Sequence, residues 1–132
     1  MGSSGLENLG DGVNLAGLIL LLLTAFFAAL ANLSIKIGVS RTSGSEPFVR
    51  AVWHLIWQPA FVGGMLLMGI AGLMWFRVLA TQKLSTCYPL FVSLTYSLIT
   101  IASFYFLHEQ ISAQKLAGLI TIIVGITIVA RG

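Results

Sequence analysis

Four stretches of this chain run apolar almost without interruption, and no other feature of the sequence limits the possible fold so tightly. A helix crossing a bilayer needs about 20 apolar residues, with a working range of roughly 17–25. Residues 15–35 meet this without a single charge and end at Lys36. Residues 59–76 lie between Gln58 and Arg77, and residues 84–107 between Lys83 and the pair His108-Glu109. The run 116–130 is short, but Lys115 and Arg131 can lay their aliphatic stems in the apolar zone while their charges reach water. Ser112 is a good N-cap for it. In lipid the backbone must satisfy its own polar groups, and with no alternating strand pattern in view only helices do so. The expected fold is an all-α integral membrane protein with four transmembrane helices.

Composition agrees. Charged residues make up 8% of the chain and hydrophobic ones 58%, against about a quarter and a half in soluble domains. So few charges cannot clothe a water-soluble surface. The net charge of +3 is spread over the ends of the apolar runs, which reads as anchoring to lipid headgroups and not as a nucleic-acid footprint. Cys87 is the one cysteine, so neither an intrachain disulfide nor a Cys-rich metal site is available. His54 and His108 lack ligand spacing, and no metal or cofactor is expected. The acids Glu7, Asp11, Glu46 and Glu109 all avoid the middle of a span, leaving no membrane-embedded carboxylate to carry protons. No nucleophile–base or paired-carboxylate set argues for an enzyme.

Residues 1–12 are polar and Gly/Ser-rich, and are expected to be disordered; their first five residues resemble the remnant of an expression tag. Residues 13–132 are expected to form a single four-helix transmembrane domain. Glu7 and Asp11 precede the first run where a signal peptide would carry basic residues.

Between the first two spans, residues 46–58 place Arg50, His54 and Gln58 on one side of a helix, with Phe48, Val52, Leu55 and Ile56 largely opposite. Pro47 suits a first turn, and Trp53 and Trp57 are amphipathic anchors. The segment reads as a short interfacial or re-entrant helix, or else as an extension of the second span bent at Pro59. Cations divide almost evenly between the two sides. Arg77, Lys83 and Arg131 stand against Lys36, Arg41, Arg50 and Lys115. That weak bias suits a chain able to insert both ways round and to pair with an inverted copy.

Lipid-facing positions favour Leu, Ile, Val and Phe, so small and polar residues point inward or to a partner. Thr24, Ala28 and Asn32 lead to Lys36 along one face of the first span. Ala60, Gly64 and Gly72 share a stripe in the second. Thr86, Ser93, Ser97 and Thr100 mark one face of the third, with Tyr88 and Tyr96 near and Pro89 interrupting its hydrogen bonds. Ala113, Ala117, Thr121 and Gly125 form a four-residue ladder in the fourth. Such stripes serve packing more often than substrate contact, and Ser and Thr in membrane helices often bond to their own preceding turn. Asn32 with Lys36 is the strongest functional pair.

The run Leu84-Ser85-Thr86-Cys87-Tyr88-Pro89-Leu90-Phe91-Val92-Ser93-Leu94, then Leu107-His108-Glu109-Gln110-Ile111-Ser112, then Gly118 and Gly125, resembles the drug/metabolite transporter superfamily on its small multidrug resistance and EamA-like side. The resemblance covers about residues 15–131. The Tyr-Pro and Ser-Leu pairs, the His-Glu before the last helix and the long first loop resemble the small subunits of the aminoarabinose-phosphoundecaprenol flippase more than the multidrug pumps. Members of the multidrug branch use a glutamate in the first helix where this chain has Ala28, a departure that speaks against proton-coupled cation efflux. The resemblance implies dimers, often antiparallel, either of one chain or with a similar four-helix subunit. It also implies a substrate chamber between the subunits, location in a bacterial inner membrane, and, for the flippase subunits, movement of a polyprenyl-phosphate-linked sugar.

The expectation is therefore a transporter or flippase for an amphipathic anionic substrate. Lys36 and Arg50 on one side, or Arg77 and Lys83 on the other, would receive a phosphate, while Asn32, Tyr88, Ser93, Tyr96 and Ser97 would replace water around sugar hydroxyls. Ala113, Ala117, Thr121 and Gly125 would form the packing seam. Efflux of small metabolites or drugs, and a non-transporting accessory subunit, are the alternatives.

Overall fold

Asn14 opens the first helix, its side-chain oxygen accepting a hydrogen bond from the Gly17 backbone N–H at 2.7 Å. The computed structural model describes residues 14–42 and 44–131, apart from the Ala130 side chain, so the segment 1–12 expected to be disordered lies outside the described residues. The helices are α1 (Leu15–Ser40), α2 (Phe48–Ile56), α3 (Pro59–Thr81), α4 (Leu84–Leu107) and α5 (Ala113–Arg131). Three of them, α1, α3 and α4, are long and apolar enough to cross a membrane, and α5 carries a shorter apolar stretch, Ala113–Val129. The expected bounds of the third span coincide with α4. Helices α1 and α3 continue about a turn past the expected ends, through Lys36 and Arg77, because backbone hydrogen bonding outlasts the apolar run.

The linking segment forms a helix of its own. Pro47 stands just before α2 as its cap residue, with φ −55° and ψ 139°, so Phe48 and not Pro47 starts the first turn. Gln58 is extended, with φ −87° and ψ 120°, and Pro59 opens α3. That break separates α2 from α3 and rules out one bent helix. No residue of α2 is buried, and Phe48, Trp53 and Trp57 are well exposed.

Helix α1 is central. It packs along both α3 and α4, whose own backbones come close at few positions and which meet mainly through side chains such as Trp75 and Phe91. Its small residues allow this: Gly17, Thr24, Ala25, Ala28, Ala29, Ala31 and Gly38 are all buried. On α3, Gly64 lies so close to α1 that an added Cβ would meet Ile35 Cγ1 at 2.7 Å, the Ile35 backbone nitrogen at 2.9 Å and the Ala31 carbonyl oxygen at 3.0 Å. Gly38 stands similarly against Phe61. Gly72, expected on the same seam, has nothing within 4 Å of such a Cβ, and the neighbouring Ala71 is buried instead. Leu21 of α1, Val78 of α3 and Cys87 of α4 close the core where the three helices meet, with Trp75, Leu90 and Phe91 around them.

Gln82, just past α3, donates through its side-chain nitrogen to Asn14 Oδ1 at 2.8 Å, tying the start of α1 to the turn before α4. Helix α5 stands apart. Its substantial contacts are with α4, and Leu119 and Ile126 are its only half-buried residues among those described. Ser112 caps it as expected, accepting from the Lys115 backbone N–H at 3.2 Å.

Candidate functional site

Helices α1 and α4 run side by side and end together, and the polar residues of both last turns meet there. Lys36 Nζ lies 3.9 Å from Glu109 Oε1. The route that brings Glu109 to this place is local. His108, directly after α4, takes a left-handed conformation with φ 54° and ψ 30°, the one positive φ of a non-glycine among the described residues. The backbone N–H groups of His108 and Glu109 both turn back to the Ser103 carbonyl. The chain thereby folds over the end of α4 and delivers the Glu109 carboxylate to α1.

Between these groups lies a cavity of about 260 Å³ lined by Asn32, Leu33 and Lys36 of α1 and by Ile99, Ser103, Leu107 and Glu109. Leu33 also lines a larger, almost wholly apolar groove of about 500 Å³ between Phe26, Ala29 and Leu30 of α1 and Leu98, Ile101, Ala102, Tyr105 and Phe106 of α4. Both sets follow helical spacing, so the groove tracks the two helices for about two turns, some 10 Å. Small residues at 29 and 102 open it. A charged cavity and an apolar groove thus lie along the same two helices, with Leu33 in the lining of both.

Asn32 donates to its own helix, from Nδ2 to the Ala28 carbonyl at 2.8 Å. A carboxamide has further hydrogen-bonding capacity beyond that bond. Ala28 itself is 4% exposed, so the place where a multidrug pump would carry its carboxylate is packed shut.

The other residues expected to touch substrate fall elsewhere. Arg50 is exposed on α2 and does not line the cleft. Just beyond the end of α1, a separate polar hollow of about 330 Å³ is lined by Arg41, Thr42, Glu46, His54, Trp57, Gln58 and Pro59. There His54 Nε2 stands 4.0 Å from Glu46 Oε2. Tyr88 borders a different hollow at the start of α4, with Trp75, Leu79 and Pro89, and its ring centre is 6.2 Å from that of Trp75. Ser93 is buried and donates to the Leu90 carbonyl, while Ser97 donates to the Ser93 carbonyl. Tyr96 is 43% exposed. Thus Asn32 and Lys36 are brought together, whereas Arg50, Tyr88, Ser93, Tyr96 and Ser97 are outside this cleft. Glu109 and Ser103 were not anticipated as lining residues. The sequence signal for Glu109 was slight, because only the backbone turn at His108 sends it inward.

The proposed packing ladder is open to the surroundings. Ala113, Ala117, Thr121 and Gly125 are all exposed, and a Cβ at Gly125 would meet nothing within 4 Å. Thr121 donates to the Ala117 carbonyl at 2.9 Å.

Relatives with curated names share most of this architecture's length. The chain is 30% identical to a protein of Erwinia tasmaniensis named as a probable 4-amino-4-deoxy-L-arabinose-phosphoundecaprenol flippase subunit ArnE, over 84% of this chain and 94% of that protein. It is 40% identical to a protein of the same name from Enterobacter sp., over 47% of this chain and 57% of that one. It is also 28% identical to the uncharacterized protein y4nH of Sinorhizobium fredii, over 91% of this chain and 99% of that protein. No family profile and no solved structure matches the chain.

Proposed function

Because the chain belongs to the family of the small flippase subunits named ArnE, we propose that it translocates an amphipathic anionic lipid, a polyprenyl-phosphate-linked sugar, across a bacterial inner membrane. The observation that carries this reading is that α1 and α4 together line a charged cavity at Lys36 and an apolar groove, with Leu33 common to both. A polyprenyl chain can stay in lipid while its head alone passes the apolar layer. The protein then has to shelter only the head, and a small subunit is large enough for that task.

Four helices cross the membrane in this reading, with α5 as the last, its length completed by Lys115 and Arg131. Helix α2 lies at the interface, its exposed Trp53 and Trp57 in the headgroup layer. The exposed ladder on α5 docks a second four-helix subunit, of the same or a similar sequence. The relatives are themselves named as subunits, and α5 has little to pack against within one chain. That same observation favours a second reading, in which the chain is an accessory subunit and flux requires its partner.

The test is flipping of an amine-free polyprenyl phosphate in proteoliposomes, with the chain alone and with a candidate partner subunit. A charge-assisted hydrogen bond contributes about 1.5–3 kcal/mol, so Lys36→Ala is expected to slow flipping roughly tenfold or more. Lys36→Arg should retain most of it. Wild-type rates in Lys36→Ala, normalised to folded protein, would overturn the anion-handling reading. Flux that appears only with the partner would select the accessory one.

A further inference from the structure

We infer that the Glu109 carboxylate is a built-in competitor at Lys36: it pairs with the ammonium when no anion is there, and a bound anion displaces it. The inference rests on the reading that Lys36 receives the anion of the substrate. It deepens that reading by naming what holds the charge between turnovers and what helps to drive the anion off.

The contact is of a kind that gives way. Lys36 Nζ and Glu109 Oε1 are 3.9 Å apart, whereas a charge-assisted hydrogen bond closes to about 2.7–2.9 Å. Their side chains are 58% and 44% exposed, and pairs so exposed contribute little to stability. Nor does Glu109 depend on Lys36 for its place. The left-handed turn at His108, with the N–H groups of His108 and Glu109 both directed to the Ser103 carbonyl, brings it to α1. Glu109 lies outside both α4 and α5, so its side chain can swing away and return without either helix moving.

Both charges line one cavity of about 260 Å³, room for several groups the size of a water at about 30 Å³ each. An anionic oxygen that enters meets two donors, the Lys36 ammonium and the Ser103 hydroxyl. It also meets the Glu109 carboxylate, a like charge beside the same nitrogen. Bound anion and inward carboxylate therefore exclude each other. Apparent affinity for the anion falls by the fraction of molecules in which Lys36 is free, and the returning carboxylate speeds release. The positive charge that selects an anion is kept, while the tight hold that would stall a carrier is avoided.

The probe is dodecanesulfonate, a single-chain anion that carbodiimide does not activate, added to the full chain in neutral detergent. By native mass spectrometry, Glu109→Gln should bind it about threefold or more tightly than the wild-type chain, and Lys36→Ala about tenfold more weakly. A second measurement needs no variant. Carbodiimide joins Lys36 to Glu109 through an amide, quantified in peptides by mass spectrometry. Dodecanesulfonate should lower that yield severalfold, and sodium chloride of equal ionic strength should not. Methanesulfonate has the same head without the chain. If it protects equally, the competition holds and the anion comes from solution; if only dodecanesulfonate protects, the anion is carried by an amphiphile. Equal or weaker binding by Glu109→Gln, or a cross-link yield untouched by saturating dodecanesulfonate, overturns the inference. Where binding still depends on Lys36, the flippase reading stands without it; binding indifferent to Lys36 overturns both.

Discussion

At the scale of single residues, His108 decides more than its chemistry suggests. Its left-handed backbone turns the chain back over Ser103 and places Glu109 beside Lys36. An L-residue in that region pays about 1–2 kcal/mol, and β-branching makes it worse, whereas glycine adopts it freely. His108→Val is therefore expected to lower stability by about 1–2 kcal/mol and to pull Glu109 from the cleft, while His108→Gly keeps the fold. Thermal unfolding in detergent checks the first effect, and the yield of a carbodiimide-formed amide bond between Lys36 and Glu109 checks the second. Lys36 and Asn32 were legible in the sequence because a charge and a carboxamide at the end of an apolar helix have few places to go. Glu109 was not, since it sits in what reads as a plain loop and its position follows from one backbone angle. The hydroxyls of α4 were visible as a stripe, but Ser93, Ser97 and Thr100 each donate to a carbonyl of the preceding turn. A stripe of serines and threonines looks the same in sequence whether it serves a substrate or its own helix.

At the scale of elements, the apolar runs made the long helices legible, and Gly-led close approach explains how they meet. The sequence shows many glycines but not which of them face a neighbour. Gly64 touches α1 and Gly72 does not, although both lie on the same face by spacing. The buried positions of α3, Gly64, Ala71 and Val78, recur every seven residues, so the seam passes through Ala71 and leaves Gly72 beside it. The atoms around Gly64 include α1 backbone, which cannot swing aside. Gly64→Leu should therefore destabilise the chain by at least about 2 kcal/mol, read as a lowered midpoint in thermal or denaturant unfolding in micelles. An unchanged midpoint would mean that α1 and α3 separate more readily than this packing allows. The short α2 was equally visible, through its Pro-led amphipathic pattern, and its independence from α3 comes from the extended Gln58 that precedes Pro59.

At the scale of the whole molecule, the chain is unevenly finished. Helices α1, α3 and α4 share a core, while α5 leaves nearly all its apolar surface and its ladder of small residues uncovered. If that ladder joins two subunits, Gly125→Leu should leave the unfolding midpoint of the isolated subunit unchanged but reduce cross-linked dimer severalfold in membranes, the reverse of what Gly64→Leu does. Composition alone showed that lipid surrounds this protein, yet no composition can reveal which apolar face meets lipid and which meets protein. The core itself offers an independent handle. Cys87, the one thiol in the chain, is 1% exposed where α1, α3 and α4 converge. An alkylating reagent can reach it only after those helices part, so the rate of labelling is a clock for core opening, readable in native membranes without added dye or tag. Partner docking through α5 would leave that clock running at its own pace, while any ligand that clamps α1 to α4 would slow it.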